Sequence, residues 1–366
     1  MTHARAGLGV VTVDEKIYAI GGYAVNESYE YVGTTERYDP KTDTWVTLTP
    51  MPTPRGYFAI VAYEDKIYCI GGEEGVSRVR GRPFRVGGCV NEVYDTATNS
   101  WSTKASMPLG GADLQAGVVD GKIFVINGCD LHMYDPIANF WTNKTRMPAT
   151  PAMPASLVSA VVDDKIVVIG IFTIFNLGFE YEGQRIMVYD PKIDMWSEGN
   201  VSYIQDISKR SWTAGGAAGA TSGLYAPQKV YFIMFTSDFF YEFTSSNMPA
   251  LQSMTLYNTT TIMYNRVYDP ISGVWLTMDV PTIREGFGVA VVDDLLYVIG
   301  GWCGGEISSL NEQYVPIGYH GTLSSNTKFS LTNKTTVAVV ILILTIGIIG
   351  GLFFYLKERK KLRANE

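Results

Sequence analysis

Arg78, Arg80, Arg82 and Arg85 crowd into one short stretch with Phe84, on a chain of 366 residues whose formal charge is −7. Guanidinium groups so placed grip a carboxylate, sulfate or phosphate through charge-assisted bonds, or else decorate a solvated loop. A second stretch, 236–266, carries Phe239, Phe240, Tyr241, Phe243 and Tyr257. Those rings either anchor a partner or stack on sugar rings, or they cover an imperfect segment beneath them. Glu73 and Glu74, with Arg55 and Arg284, are residue types suited to acid–base work on a sugar. Arg55 and Arg284 recur in register, which equally suits hydrogen bonding between repeated units.

Other chemistries lack their residues. Three histidines (His3, His132, His320) and four cysteines (Cys69, Cys89, Cys129, Cys303) leave no two cysteines at metal-ligand spacing. Phosphate-cradling and nucleophile-elbow patterns are missing, so no catalytic residue, metal or cofactor is assigned. Cys69 with Cys89 is a candidate disulfide outside the cell, the alternative being a free, buried Cys69. Acceptor patterns for N-glycosylation begin at Asn26, Asn143, Asn200, Asn258 and Asn333. The last ten residues carry +3, so the body before them carries −10, which argues against a nucleic-acid partner.

These residues hang on a repeat. DKIYCIGG at 65–72 returns as DEKIYAIGG at 14–22, DGKIFVING at 120–128, DDKIVVIGI at 163–171 and DDLLYVIGG at 293–301, with a blurred copy, PQKVYFIMF, at 227–235. Each copy reads as a turn, a strand of β-formers and a glycine pair that turns the backbone sharply. Downstream of the first five in chain order comes Tyr-Asp, then a tryptophan: Tyr38 and Trp45, Tyr94 and Trp101, Tyr134 and Trp141, Tyr189 and Trp196, Tyr268 and Trp275. Asp, usually with Pro next, suits a tight reversal between strands. Each unit therefore supplies four strands.

Glycine pair, Tyr-Asp-Pro and spaced tryptophan resemble the kelch repeat, over roughly residues 1–316. The resemblance implies an all-β, six-bladed propeller whose blades begin near residues 5, 55, 112, 155, 210 and 284, each four-stranded blade facing a central axis. The last blade lacks a tryptophan strand. Met1 to Arg5 repeats the spacing of Met51 to Arg55, so an upstream strand, with a secretion signal, is expected to complete that blade. In such a blade the first-to-second and third-to-fourth turns share one face, and they are short here. The other face carries long, irregular insertions, 23–37, 73–92, 171–186, 197–209 and 236–266, and is the expected binding face. The imperfect copies at 163–171 and 227–235 adjoin two of them, and a function private to this chain is expected there. The resemblance favours a non-enzymatic module that binds a protein or a glycan. The alternative is a kelch-type carbohydrate-active enzyme, epimerase- or mutarotase-like, on the same face.

Residues 337–356 form an uncharged apolar run long enough, as a helix, to cross a hydrocarbon core of roughly 30 Å. Lys357, Arg359, Lys360, Lys361 and Arg363 come at once after it, which places the C-terminus in the cytoplasm and the body outside. The expected layout is a propeller over 1–316, a Ser/Thr/Asn-rich stalk over 317–335, a transmembrane helix over 336–356 and a basic tail over 357–366. A cytosolic adaptor with a reversed anchor is the competing topology. Gly347 and Gly351, four apart, suit a weak helix-mediated dimer.

Overall fold

The computed structural model describes residues 1–25, 29–79, 82–148, 154–176, 179–199, 211–242, 255–303 and 306–323, all within the first of its two units, Met1–Lys328. They form six antiparallel blades in a ring. Blade I comprises Gly9–Val13, Lys16–Ile20, Thr35–Asp39 and Thr44–Leu48, and blade II Ala59–Tyr63, Lys66–Ile70, Asn91–Asp95 and Ser100–Thr103. Blade III comprises Gln115–Val119, Lys122–Asn127, Asp130–Asp135 and Phe140–Asn143. Blade IV comprises Pro154–Val162, Lys165–Asn176, Phe179–Asp190 and Met195–Glu198, and blade V Ser211–Ala220, Val230–Glu242, Thr255–Asp269 and Val274–Met278. Blade VI has three strands among the described residues, Gly288–Val292, Leu295–Ile299 and Asn311–Tyr314. The anticipated kelch repeats and six-bladed propeller are both present. The apolar segment from 337 and the expected stalk beyond 323 lie outside the described residues, among which no helix is long and apolar enough to cross a membrane.

The repeat signature is a set of ties at one end of each blade. The lysine at the start of the second strand, or just before it in blade V, reaches the aspartate that closes the third: Lys16–Asp39, Lys66–Asp95, Lys122–Asp135, Lys165–Asp190 and Lys229–Asp269. The same aspartates accept backbone N–H groups of their own turns, as Asp95 does from Ala97 and Thr98. In blades I to IV the tyrosine before the aspartate donates to the Asn or Asp just ahead of the fourth strand, as Tyr94 does to Asn99 and Tyr134 to Asn139, both at 2.6 Å, whereas blade V has Gly273 at that place. That acceptor sits at a left-handed φ, 51° at Asn99 and 52° at Asn139, which Asn and Asp tolerate. The tryptophan then lies against the tyrosine ring, with centroids 5.1 Å apart for Tyr94 and Trp101. Its indole N–H crosses to the preceding blade: Trp101 to Thr49 O, Trp141 to Ala105 O and Trp196 to Thr145 O.

The glycine pair sets the path of the chain beyond the second strand. Gly21 and Gly22 have φ of 61° and 94°, and a Cβ on Gly22 would meet the Ala6 carbonyl oxygen at 2.6 Å. In blade IV the pair is Gly170-Ile171 and in blade V Met234-Phe235. The strands there do not turn but run straight on. Four of the insertions expected to be irregular loops are therefore hairpins among the described residues: Tyr23–Val25 with Tyr29–Tyr31, Glu73–Val79 with Arg82–Gly87, and the outward extensions of blades IV and V; a further short hairpin, Trp302–Cys303 with Glu306–Ile307, was not anticipated, and 200–210 of the fifth insertion lie outside the described residues. Their β-branched and aromatic content supports pairing rather than coil. One turn on the opposite face is longer than expected. Residues 221–229 of blade V fold onto Asp294, whose carboxylate accepts N–H bonds from Ser222, Tyr225 and Ala226.

The core lies between the blades. Six clusters of buried side chains occupy the six interfaces, among them Leu8, Val10 and Ile17 with Ala290, Val292 and Leu295 where blade I meets blade VI. The ring closes there through Gly7 N–H to Gly286 O at 2.7 Å and Thr12 Oγ1 to Val291 O at 2.9 Å. Arg5, Arg55 and Arg284, on the inter-blade connections, are buried and pair with Glu36, Glu92 and Glu312. Arg5 also donates to the Ala19 and Thr34 carbonyls, while its own backbone bonds to blade VI at Ser308 and Gly301. Burial lowers the Arg5 pKa to about 10 against the pull of Glu36. Burial raises the Glu36 pKa, but hydrogen bonds from Thr2 and the charge of Arg5 hold it below the ordinary carboxylate value.

Two measurements test this frame. Arg55→Met should cost roughly 3–5 kcal/mol in chemical denaturation because Glu92 is left charged and buried, whereas Arg55→Met with Glu92→Leu should recover most of that loss. A double variant no better than the single one would refute the pairing. Asp95 and Asp269 have pKa values lowered to about 2, first by the lysine hydrogen bond and then by turn N–H groups, and Asp39, Asp135 and Asp190 are lowered in the same way. Their folded pKa lies below the unfolded one, so this stability is full above about pH 4 and is lost as pH falls toward 2. Melting temperature should be flat near neutrality, should drop across that acid window, and should drop less in high salt.

Candidate functional site

Antiparallel order sends every second-to-third connection and every inter-blade connection to one face. Bridges Ala6 with Tyr23, Gly56 with Glu73 and Glu285 with Trp302 join the two kinds of connection there. Backbone bonds also step from blade to blade: Gly7 N–H to Gly286 O, Tyr57 N–H to Gly7 O and Leu114 N–H to Tyr57 O. The residue at that step is Gly7 (φ 62°), Tyr57 (53°), Asp113 (53°) and Gly286 (59°) in blades I, II, III and VI. A bulky side chain in the left-handed region is an outlier that its surroundings must enforce. Tyr57 is held by its neighbours. Its ring lies over Gly7, where a Cβ would approach within 2.9 Å, and stacks on Tyr23 with centroids 5.9 Å apart.

Tyr23 in turn meets Tyr31 edge-on at 6.4 Å, and the Tyr31 hydroxyl donates to Glu73 Oε2. Glu73 is buried, Glu74 beside it is exposed, and the three tyrosines are half-buried. The result is a stepped aromatic platform between blades I and II, floored by a carboxylate. It adjoins the root of the hairpin that carries the arginine positions. It has the amphipathic rings and the fixed acceptor that recognition needs, and it brings together no nucleophile with a base.

The sequence-derived candidates fall in several places. In the hairpin register Arg82 pairs with Val79, Pro83 with Arg78, Phe84 with Ser77 and Arg85 with Val76. Positions 78 and 85 therefore share one face of the ribbon and 82 and 84 the other. Arg80 lies outside the described residues. Phe239, Phe240 and Tyr241 are paired with Asn258, Tyr257 and Leu256 past a bulge in the blade V extension, so the acceptor Asn258 is on a strand. Asn143 is exposed and its Oδ1 lies 2.9 Å from His132 Nδ1. Asn26, Asn200 and Asn333 lie outside the described residues, as do Gly347 and Gly351. Cys69 and Cys89 are not joined: the Cys69 thiol is buried between blades I and II, its pKa pushed up to about 12 by burial, whereas Cys89 is exposed. Arg55 and Arg284 are taken up in buried ion pairs and are not presented to a ligand. Tyr23, Tyr31 and Tyr57 were not among the candidates. The signal available for Tyr57 was its register, since counting on from Arg5, Arg55 and Arg284 sets it against Gly7 and Gly286.

The kelch motif model matches residues 4–52, 54–108 and 283–318. The chain is similar to "Influenza virus NS1A-binding protein homolog B" of Danio rerio, 42% identical over 77 residues, covering 21% of this chain and 12% of that protein. It is similar to "Kelch-like protein 7" of Rattus norvegicus, 34% identical over 95 residues, covering 26% of this chain and 14% of that protein. It is also similar to "Alpha-scruin" of Limulus polyphemus, 34% identical over 109 residues, covering 29% of this chain and 11% of that protein. The chain thus carries kelch repeats and is matched to a small part of the length of each of these relatives.

Strain at Tyr57 predicts an unusual pair of substitutions. Tyr57→Gly gives up the ring contacts but releases about 1 kcal/mol of left-handed strain, so stability should change by no more than about 1 kcal/mol. Tyr57→Val loses the ring and worsens the strain, and should cost about 2 kcal/mol or more in the same denaturant titration. Equal effects of the two would remove the strain argument.

Proposed function

We propose that this chain is a protein-interaction module that docks a partner on the hairpin face, with the Tyr23–Tyr31–Tyr57 platform as its anchor point. The observation that carries the reading is the left-handed Tyr57, which gives up backbone stability to hold a ring where two other blades place glycine. Half-buried tyrosines around a buried Glu73 form a rigid, amphipathic surface of the kind that dominates recognition energy. Similarity to an NS1A-binding protein homolog and to a kelch-like protein supports a binding role over a catalytic one. The arginine hairpin and the blade V hairpin flank the same face and extend the contact area. The propeller is carried outside the membrane by the 336–356 segment with its C-terminus in the cytoplasm, a reading that rests on the apolar run and the basic residues after it.

The full chain, held in lipid nanodiscs, is screened against purified cell-surface ectodomains. A true partner should lose at least about tenfold in affinity with Tyr31→Ala or Tyr57→Gly. It should be indifferent to Ile137→Ser, at an exposed turn on the opposite face. Ligands that ignore both tyrosines, or hits confined to a glycan array, would sink the proposal. Topology is read separately by protease shaving of intact cells, where a protected body would overturn the outside placement.

A further inference from the structure

The turns between third and fourth strands follow one plan in blades I to V. In each, a tyrosine–tryptophan contact lies beneath, with ring centroids 4.8–5.1 Å apart. What stands above it differs. One and three places before the tryptophan, blade I has Thr44 and Thr42, and blade II has Ser100 and Thr98. The two hydroxyls of each pair bond one another, at 2.7 and 2.8 Å. At those places blade III has Phe140 and Ala138, blade IV has Met195 and Ile193, and blade V has Val274 and Ser272. Ile137 and Ile271 add to them directly after the turn prolines.

The six large apolar side chains among these are between 49% and 85% exposed. An isolated exposed isoleucine is ordinary, but blades III, IV and V are consecutive in the ring. Three neighbouring turns that each trade a hydroxyl for hydrocarbon form an apolar rim, which marks a contact surface. The fold does not demand the exchange, because the hydroxyl-bearing turns of blades I and II cover the same tyrosine and tryptophan. The charges beneath the rim are paired: Asp135 with Lys122, Asp190 with Lys165, Asp269 with Lys229 and Asp194 with Lys144. The apolar tips therefore stand on a floor of matched charges.

The chain reaches residue 323 on this same face. Antiparallel order ends the third strand of blade VI, Asn311–Tyr314, there. Beyond it His320 N–H donates to Tyr225 O at 2.8 Å, in the blade V turn where Leu224 is exposed. From there the sequence leads to the uncharged apolar run at 337–356. We propose that the apolar rim of blades III to V rests on a lipid bilayer, its isoleucine, phenylalanine and methionine side chains entering the boundary between headgroups and acyl chains. This contact rests on the membrane-anchored, outside placement of the propeller. Apolar burial supplies the attraction, and matched charges suit a zwitterionic lipid rather than an anionic one. The hairpin face, with its tyrosine platform, then points away from the membrane.

The full chain is reconstituted in phosphatidylcholine vesicles whose lipids carry a quencher high on the acyl chain. A dansyl-bearing residue replaces either Ile193 on the rim or Glu74, exposed on the hairpin face. Emission at 193 should fall at least about twofold with the quencher, and emission at 74 should not change. Phe140→Ser, Met195→Ser and Val274→Ser together, the residue blade II has at that place, should abolish the fall at 193. Because all three side chains are exposed, the melting temperature of that variant should stay where it was. The anchor is read separately, by flotation of the vesicles after alkaline extraction. A chain that floats but is not quenched at 193 refutes the rim contact and leaves the anchor standing. A chain stripped by alkali, yet quenched at 193 beforehand, refutes the anchor and upholds the contact. Emission at 193 that is shifted to the blue without quenching by lipid would mean that protein covers the rim, and would overturn the proposal.

Discussion

A guanidinium that leaves water must take its carboxylate with it, and the ring depends on three such pairs. Arg5, Arg55 and Arg284 sit on the connections between blades, where each backbone belongs to one neighbour and each side chain to the next. The remaining blades show why the pair moves as a unit. Where the arginine is replaced by Gly111, Pro154 or Thr213, the carboxylate position holds His132, Met187 or Arg266. A lone buried charge costs far more than an apolar replacement of the couple, so half a pair is not kept. The ties fall in blades VI, I and II, on both sides of the ring's closure, where no fourth strand is described to bind blade VI to blade I.

The glycine pair is the second constraint, and it works as a switch. In blades I, II and VI a left-handed pair turns the chain at once into a separate hairpin that starts at the inter-blade bridge. Ile171 or Phe235 at the same place cannot adopt that turn, and the second strand continues as a ribbon. One sequence position thus sets whether an insertion stands as a separate hairpin or continues the blade's own strands, without altering the interface cores beneath it.

The blades, their boundaries and the short strand count of blade VI were legible because every signature residue has a partner at fixed register. Lys66 needs Asp95, Tyr94 needs Asn99, and Trp101 needs a carbonyl of the blade before it. The recurrence of Arg55 and Arg284 was visible too, and burial decides that they tie blades rather than meet a ligand. The hairpins were missed because insertions break the period that makes strands readable, and 73–87 alternates charge and glycine without a clear buried face. The platform was missed for another reason. Tyr23 and Tyr57 are ordinary residues in sequence, and only the backbone step at Gly7 shows that one of them is under strain.

Departures from a repeat are informative in proportion to how fully the repeat explains the rest. Tyr57 breaks it by adding a ring where backbone freedom calls for glycine, and blade VI breaks it by leaving Trp45 and Asp43 facing a cleft. The first carries strain, and at the second no strand among the described residues reaches the groups whose equivalents are bonded at three other seams. The imperfect second strands of blades IV and V are different, because their apolar residues extend pairing and are satisfied within the fold. The strain therefore falls in a regular blade, and that is the place where an external partner would have something to supply.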